Sequence, residues 1–355
     1  MISVANINSQ TLGVNVFRGV FLFTLFFISA CSEKTPTIHQ LQGNVFGSYY
    51  IIKWIGESDT TLLQAEIEKL FKDVNDEFSN YQGDSVVTQF NNLKANQKMK
   101  VSPRFIEMLE FCKKMNQISM GAFDPTLRPV IKVWGFGAGA KKQNKSPKEE
   151  EIKLALTKVG MRNIQWDSKT QEAWKLMDEV EIDTNSFVPG WAADLIGLLL
   201  EDHKITNYMI DISGEFLVKG EKSLGHPWII GIEKPSQDKG RGVQIALRIR
   251  NKSIATSGNY RQFFTENGVR KSHIIDPRTG KPVEHQIASA TVIAGSALET
   301  DAWGTALMVL GHEGIEIADQ LGLKVLLLEA IKPGEYKELS NKLMKDYLKA
   351  NQVHL

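Results

Sequence analysis

TNYMIDISGEFLVKGEKSLGHPWIIGIE, residues 206–233, holds three strand-like runs, NYMIDI, EFLVKG and WIIGIE. Each is rich in β-branched and aromatic residues and is bounded by Gly, Pro or Ser. The pattern continues through VQIALRI (243–249), SHIID (272–276) and ASATVIA (288–294). Helical patterns flank this block. Residues 61–78 carry apolar positions at helical spacing. Ser102-Pro103 opens a helix in the favoured N-cap and N1 arrangement. Ser146-Pro147, followed by three glutamates, opens another with acids at the end the helix dipole favours. VEIDTNSFVPGWAADLIGLLLEDH (180–203) reads as a strand ending at Asp183, a turn and an apolar helix. ALETDAWGTALMVLG (297–311) is helical, KVLLLEA (324–330) a strand, and the C-terminus a charged helix. GNVFGSYYIIKW (43–54) reads as a strand carrying a glycine turn. Strands and helices mix without a regular βαβ rhythm, so the expected fold class is α+β rather than doubly wound α/β. With no internal repeat and no clean linker, one compact domain is the simplest organisation.

Composition excludes several functions. The 355 residues are 42% hydrophobic and 23% charged, which rules out wholesale disorder. Lys+Arg 42 against Asp+Glu 41 leaves a net charge of +1, a poor basis for gripping nucleic-acid phosphates. Two cysteines exclude a disulfide scaffold and a four-thiolate zinc site. Cys112 sits in an apolar helical pattern, FIEMLEFCKKM, and reads as a core residue rather than a nucleophile. Gly135, Gly137 and Gly139 imitate a dinucleotide-binding loop, but a polar stretch follows them instead of a helix, so they read as a connector.

The N-terminus reads as an export signal. VFLFTLFFISA (20–30) follows Arg18, is too short to span a bilayer, and ends in small residues before Cys31. Ile28-Ser29-Ala30-Cys31 resembles a bacterial lipoprotein lipobox, in which the Cys is lipidated. Ser32 rather than Asp at the next place implies outer-membrane sorting in Gram-negative bacteria. The expected division is a signal over 1–30, a lipidated tether over 31–40 and a catalytic domain over 41–355, facing the periplasm. The alternative reading is a buried strand with an incidental Cys.

Candidate chemistry sits at element ends. Asp301 and Thr305 are four apart on a predicted helix and share a face. A carboxylate and a hydroxyl are hard donors suited to Mg²⁺ or Ca²⁺, although such a pair alone is commonly a solvated face. His273 enters a tight Asp-Pro-Arg-Thr-Gly turn, where an imidazole can serve as general base or simply as a structural group. GAFDPT (121–126), Asp183 and Thr256-Ser257-Gly258 mark further junctions. No G-x-S-x-G elbow appears, which argues against serine hydrolysis.

The ordered set of these blocks resembles the ApbE family of FAD:protein FMN transferases from about Gly43 to Leu327. Phe46-Gly47-Ser48-x-Tyr50 is similar to its first glycine turn. Ser79-x-Tyr81-x-x-Asp84-Ser85 with Phe90-Asn91, then Gly121 to Thr126, then Trp134-Gly135-Phe136-Gly137 follow in order. After them come Asp183 to Asp194, Thr256-Ser257-Gly258, His273 to Gly280, and Asp301-Ala302-x-x-Thr305-Ala306. The glycines of the imitation dinucleotide loop are thus the family's own Trp-Gly-Phe-Gly turn.

The resemblance implies a single compact, T-fold-like α+β domain that binds FAD as substrate with Mg²⁺ on its pyrophosphate. FMN passes to a Thr hydroxyl of a partner protein and AMP leaves. It implies metal ligands at Asp301, Thr305 and the Ser186 carbonyl. FAD contacts fall to Phe46, Tyr81, Ala122, Phe123, Asp124, Asp183 and Ile274, with His273 helping to deprotonate the acceptor. The implied partners are extracytoplasmic flavoprotein subunits of electron-transport complexes, with the membrane reached through the lipid on Cys31. Two departures stand out. Pro189 replaces a Lys common in the family, and Ser213-Gly214 stands where Gly-Gly is more usual. Alternative activities are a lipoprotein that binds FAD without transferring FMN, and an FAD pyrophosphatase.

Overall fold

The computed structural model describes residues 37–137, 145–235, 242–259, 263–266, 269–332 and 334–353. Asn207–Ile212 and Glu215–Lys219 pair as an antiparallel hairpin around Ser213 and Gly214, both at positive φ (61° and 102°). Such a two-residue turn matches the twist of the strands it joins. GNVFGSYYIIKW belongs to a second hairpin of the same kind. Ile38–Val45 pairs with Ser48–Ile55 around Phe46 (φ 51°) and Gly47 (φ 73°).

The two hairpins lie side by side in an eight-stranded sheet. Its order is Ile38–Val45, Ser48–Ile55, Asn207–Ile212, Glu215–Lys219, Lys252–Gly258, Ile287–Ala294, Lys324–Lys332 and Glu335–Ser340. Spatial order equals chain order, and every neighbouring pair is antiparallel. The α+β expectation therefore holds, with helices inserted between strands rather than alternating with them.

Central strands read as apolar runs because both faces are covered. Val325 and Leu327 pack into the larger core, whereas Leu326 and Leu328 face the opposite side, as a period of two requires. Under the larger core lie α1 (Thr60–Phe78), α2 (Val86–Asn91), α3 (Pro103–Ile118), α6 (Val188–Asp202) and α7 (Ala297–Leu310), while α4 (Arg128–Val133) and α5 (Glu149–Leu156) close a smaller cluster around Val130, Trp134, Ile152 and Ile275. The other face is closed by the sheet of Trp228–Glu233, Val243–Ile249 and Gln352–Val353, together with the helix Lys342–Asn351, whose Met344 is buried.

Capping sets the helix starts. Asp59 accepts from the amides of Thr61 and Leu62, and α1 then buries Leu63, Ile67, Phe71, Val74 and Phe78 along one stripe. Ser102 caps α3 as expected, and Cys112 inside it is fully buried, with burial pushing its thiol up. That environment suits an inert core thiol.

Three expectations change. Helix α5 starts at Glu149, not after Ser146, because the Ser146 amide and hydroxyl are both taken by the Glu266 carboxylate. Glu151 instead accepts from the Lys148 amide at 2.7 Å. Residues 180–183 form no strand; the main chain of Val180 and Ile182 bonds to side chains and the Asp183 amide to the Pro125 carbonyl. The edge strand begins at Ile38 and takes in residues assigned to the tether, because its alternating exposure reads as polar sequence. The export signal 1–30, Cys31, Ser32 and Gly139 lie outside the described residues. Among the described residues, no helix is long and apolar enough to cross a membrane.

Candidate active site

Both hairpin turns end at the rim of a cavity of about 950 Å³, where Phe46, Gly47 and Ser213 line it. Ser213 is tied to the neighbouring hairpin by its amide, which donates to the Tyr49 carbonyl at 3.1 Å. Phe46 pays for its left-handed backbone by pointing its ring into the cluster, edge-on to Phe71 at 5.9 Å. A bulky residue held at positive φ is uncommon and concentrates where a site constrains the chain.

Two helices build the polar floor. Gly190 lies in the first turn of α6, where amides lack intrahelical partners. Its N–H donates to Asp301 Oδ2 of α7 at 3.0 Å. In return, Asp194 of α6 accepts from the amides of Ala297 and Leu298 at the start of α7, at 2.8 and 2.9 Å, and from Ser296 Oγ at 2.7 Å. Each helix thus caps the other with a carboxylate. The contact demands glycine, since a Cβ at Gly190 would stand 2.3 Å from the Ala297 carbonyl oxygen.

Thr305, Ser186 and Pro189 line the cavity, and Asp301 sits one helical turn behind Thr305. Burial pushes the Asp301 carboxyl up. Glu215 is also pushed up, by burial and by the Asp301 and Asp211 carboxylates, and its Oε2 is buried without a hydrogen-bond partner. Acids crowded this way lack positive charge. No group of three His, Cys, Asp or Glu able to hold a metal occurs among the described residues. The oxygens present, the Asp301 carboxylate, the Thr305 hydroxyl and the Ser186 carbonyl, are hard donors of the kind that suit an ion such as Mg²⁺. The residues fit that ion.

The apolar walls come from three loops. Asn116 Nδ2 donates to the Phe123 carbonyl at 2.8 Å, fixing the Ala122–Asp124 turn against the cavity. Asp124 accepts from the Thr126 amide and hydroxyl at 2.8 and 2.5 Å, and Thr126 Oγ1 accepts from the Gly160 amide at 2.6 Å. Tyr81 projects at the mouth, 71% exposed. His273 and Ile274 face the cavity from a bend, not a strand, since the preceding strand ends at Ser272. The His273 ring meets Phe136 edge-on at 6.3 Å.

Asp183 lines the cavity from the segment that replaces the expected strand. Its Oδ1 accepts from the Asn185 amide at 3.0 Å, and Arg128 approaches its Oδ2 at 3.8 Å while bonding Glu181 Oε2 at 2.7 Å. Burial nevertheless pushes the Asp183 carboxyl up. All eleven expected positions, seven for the flavin, three for the metal and His273, gather at one place, ten on the cavity surface and Asp301 just beneath. Sequence reasoning missed Phe136 and Ser213 as lining residues, and Glu215 and Arg128 behind the wall. It also left out Pro189, which the first turn of α6 brings into the cavity.

The ApbE family profile matches residues 46–327. An FAD:protein FMN transferase of Vibrio cholerae is 34% identical over 333 residues, covering 93% of this chain and 98% of that protein. One from Haemophilus influenzae is 35% identical over 309 residues, covering 85% and 89%. The solved flavin transferase ApbE from Vibrio cholerae superposes with a TM-score of 0.79 at 32% identity, covering 88% of this chain and all of that one. The apo flavinyl transferase ApbE of Pseudomonas stutzeri gives 0.80 at 30% identity, covering 88% and 97%. With the family profile spanning residues 46–327 and relatives matching in sequence and fold over most of its length, the chain belongs to the ApbE family.

Proposed function

We propose that this protein is an FAD:protein FMN transferase that moves FMN from FAD onto a Thr hydroxyl of a partner protein. The observation that carries this reading is the meeting, in one cavity, of hard oxygen donors, an imidazole and an apolar wall of flavin scale. The bond between the FMN phosphorus and the bridging oxygen breaks, and AMP leaves with that oxygen. A new bond forms from the same phosphorus to the acceptor Oγ. Such phosphoryl transfer depends on positioning and on neutralising charge. Bound at Asp301, Thr305 and the Ser186 carbonyl, Mg²⁺ would supply Lewis-acid stabilisation of the pyrophosphate. His273 takes the acceptor proton, and Phe136 holds its ring in place. Tyr81, Phe46, Ala122, Phe123 and Ile274 enclose the flavin, while Asp124 and Asp183 receive its polar groups.

The acceptors are extracytoplasmic flavoprotein subunits of electron-transport complexes. Cys31 carries the lipid that anchors the enzyme on the periplasmic side, and Ser32 directs it to the outer membrane. Pro189, lining the cavity where a cation is common in the family, favours a second reading, an FAD-binding lipoprotein without transfer. Incubation with FAD, Mg²⁺ and a Thr-containing acceptor domain, followed by intact-mass measurement, decides between them. A mass gain of one FMN on the acceptor supports transfer. Free FMN and AMP indicate a pyrophosphatase, and unchanged FAD indicates binding alone. His273→Ala is expected to keep FAD bound and slow transfer by about a hundredfold or more; an unchanged rate removes His273 from the mechanism.

A further inference from the structure

The main chain from 178 to 184 joins no sheet; the Asp183 amide donates to the Pro125 carbonyl at 2.7 Å, and most of its other bonds go to side chains. Asn91 at the end of α2 grips Ile182 twice, with Nδ2 to its carbonyl at 2.9 Å and Oδ1 from its amide at 2.7 Å. Asn80 donates to the same carbonyl at 2.8 Å and accepts from the Thr184 amide at 2.8 Å. The Thr184 hydroxyl donates to the Phe78 carbonyl at 2.6 Å. Lys175, 0% exposed, gives all three ammonium protons to carbonyls: Asn91 at 2.7 Å, Asp178 at 2.7 Å and Val180 at 3.0 Å. The Asn91 carbonyl lies at the C-terminus of α2, where the helix dipole favours a cation.

These bonds tie together two pieces of cavity wall. Asn80 immediately precedes Tyr81, and the gripped residues 182 and 184 flank Asp183, with Ser186 two residues on. We propose that Asn80, Asn91 and Lys175 are positioning residues of the flavin-transfer site. They lock the Tyr81 loop and the Asp183–Ser186 loop into one preformed wall, so that FAD meets a site whose ordering is already complete. The proposal rests on the flavin-transfer reading of this cavity. None of the three residues lines the cavity, so each acts through others. A wall without its clamps populates the binding-competent arrangement only part of the time. Affinity then falls by that fraction, and saturating FAD restores the arrangement. The clamps should therefore govern KM rather than kcat.

The test compares the full chain with Asn80→Ala and Asn91→Ala, using Met344→Ala in the distant core as a control for lost stability. FAD affinity is read by flavin fluorescence, KM and kcat by acceptor flavinylation, and local opening by amide exchange at Ile182 and Thr184. Each clamp variant is expected to raise the FAD Kd and KM by about tenfold, the usual scale for a lost supporting contact. Their kcat should stay within about twofold of the parent, and exchange should accelerate at Ile182 in Asn91→Ala and at Thr184 in Asn80→Ala. Met344→Ala should lower Tm with FAD affinity unchanged. The proposal is overturned if exchange accelerates while Kd stays constant, or if Met344→Ala weakens FAD binding equally. It is also overturned if kcat falls and KM does not. Failure of the parent chain itself to bind FAD would instead remove the underlying reading of the cavity.

Discussion

The floor of the cavity and the wall carrying Asp183 solve the same problem in opposite ways. On the floor, Asp301 and Thr305 ride on a helix whose own backbone bonds are complete, and only helix ends need outside partners. Asp194 and Asp301 supply those partners reciprocally. On the wall, Asp183 sits on main chain with no ladder to join, and three side chains, with the Pro125 carbonyl and the wall's own Thr184 hydroxyl, replace the missing strand. A helix fixes its side chains through a repeating pattern that tolerates many sequences. The wall depends on particular amide and ammonium groups at particular places. Damage should accordingly differ: the floor fails through crowding or lost charge, and the wall through loss of single hydrogen bonds.

The largest effect tests the floor. Gly190→Ala places a methyl 2.3 Å from the Ala297 carbonyl oxygen and 2.8 Å from Asp301 Cβ, so α6 and α7 must separate. Overpacking of this kind costs about 1–3 kcal/mol. Displacing Asp301 and Thr305 by about 1 Å is expected to lower the transfer rate by about a hundredfold. Thermal denaturation and acceptor flavinylation read both outcomes. An active Gly190→Ala enzyme would mean that the floor is as adaptable as a loop, and the contrast with the wall would break.

Asp194→Ala is the milder probe. It removes three hydrogen bonds at the start of α7, yet Ser296 remains to cap the Glu299 amide. The expected loss is about 1–2 kcal/mol of stability, seen as a lower urea midpoint with an unchanged slope. Transfer should fall far less than in Gly190→Ala, because the helix that carries Asp301 and Thr305 stays in place. A loss equal to that of Gly190→Ala would show that capping, rather than close packing, positions the floor.

The same contrast explains what could be read from sequence. The floor was legible because Asp301 and Thr305 share a helix face at a spacing of four, and Gly190 stands inside an apolar helix. The hairpin turn at Phe46-Gly47 was legible from its glycine. The wall misled, because V-E-I-D alternates as a strand does, and nothing local says that its amides bond to Asn80 and Asn91 about a hundred positions away. Lys175 is equally silent in sequence, since lysines belong at surfaces and only the fold brings three carbonyls to it. Asn91 had stood within a family motif without an apparent role. Its grip on Ile182 supplies one. Glu215 beside Asp301 was invisible for a similar reason, since only the packing of α7 against the strand Glu215–Lys219 brings the two acids together.

The smallest effect is a pH dependence that separates the two regions. Burial raises the Asp301 carboxyl from its ordinary 3.8 to about 7, so the folded chain holds its proton more tightly than the unfolded chain does. Stability from this group is therefore complete below about 3.8 and is lost as pH rises through about 7. In chelator, Tm should decline between pH 5.5 and 8. A cation beside the carboxylate reverses the preference for the neutral form, so Mg²⁺ should raise Tm by a few degrees at pH 8 and by less at pH 5.5. Glu215, crowded by Asp301 on the floor, and Asp183 on the wall are also raised by burial, and both contribute to the decline in chelator. Neither is among the ligands assigned to the metal. The Mg²⁺-dependent rise should thus vanish in Asp301→Asn and persist in Asp183→Asn. If both variants lose it, the ion draws on the wall as well as the floor, and the two regions form a single electrostatic unit.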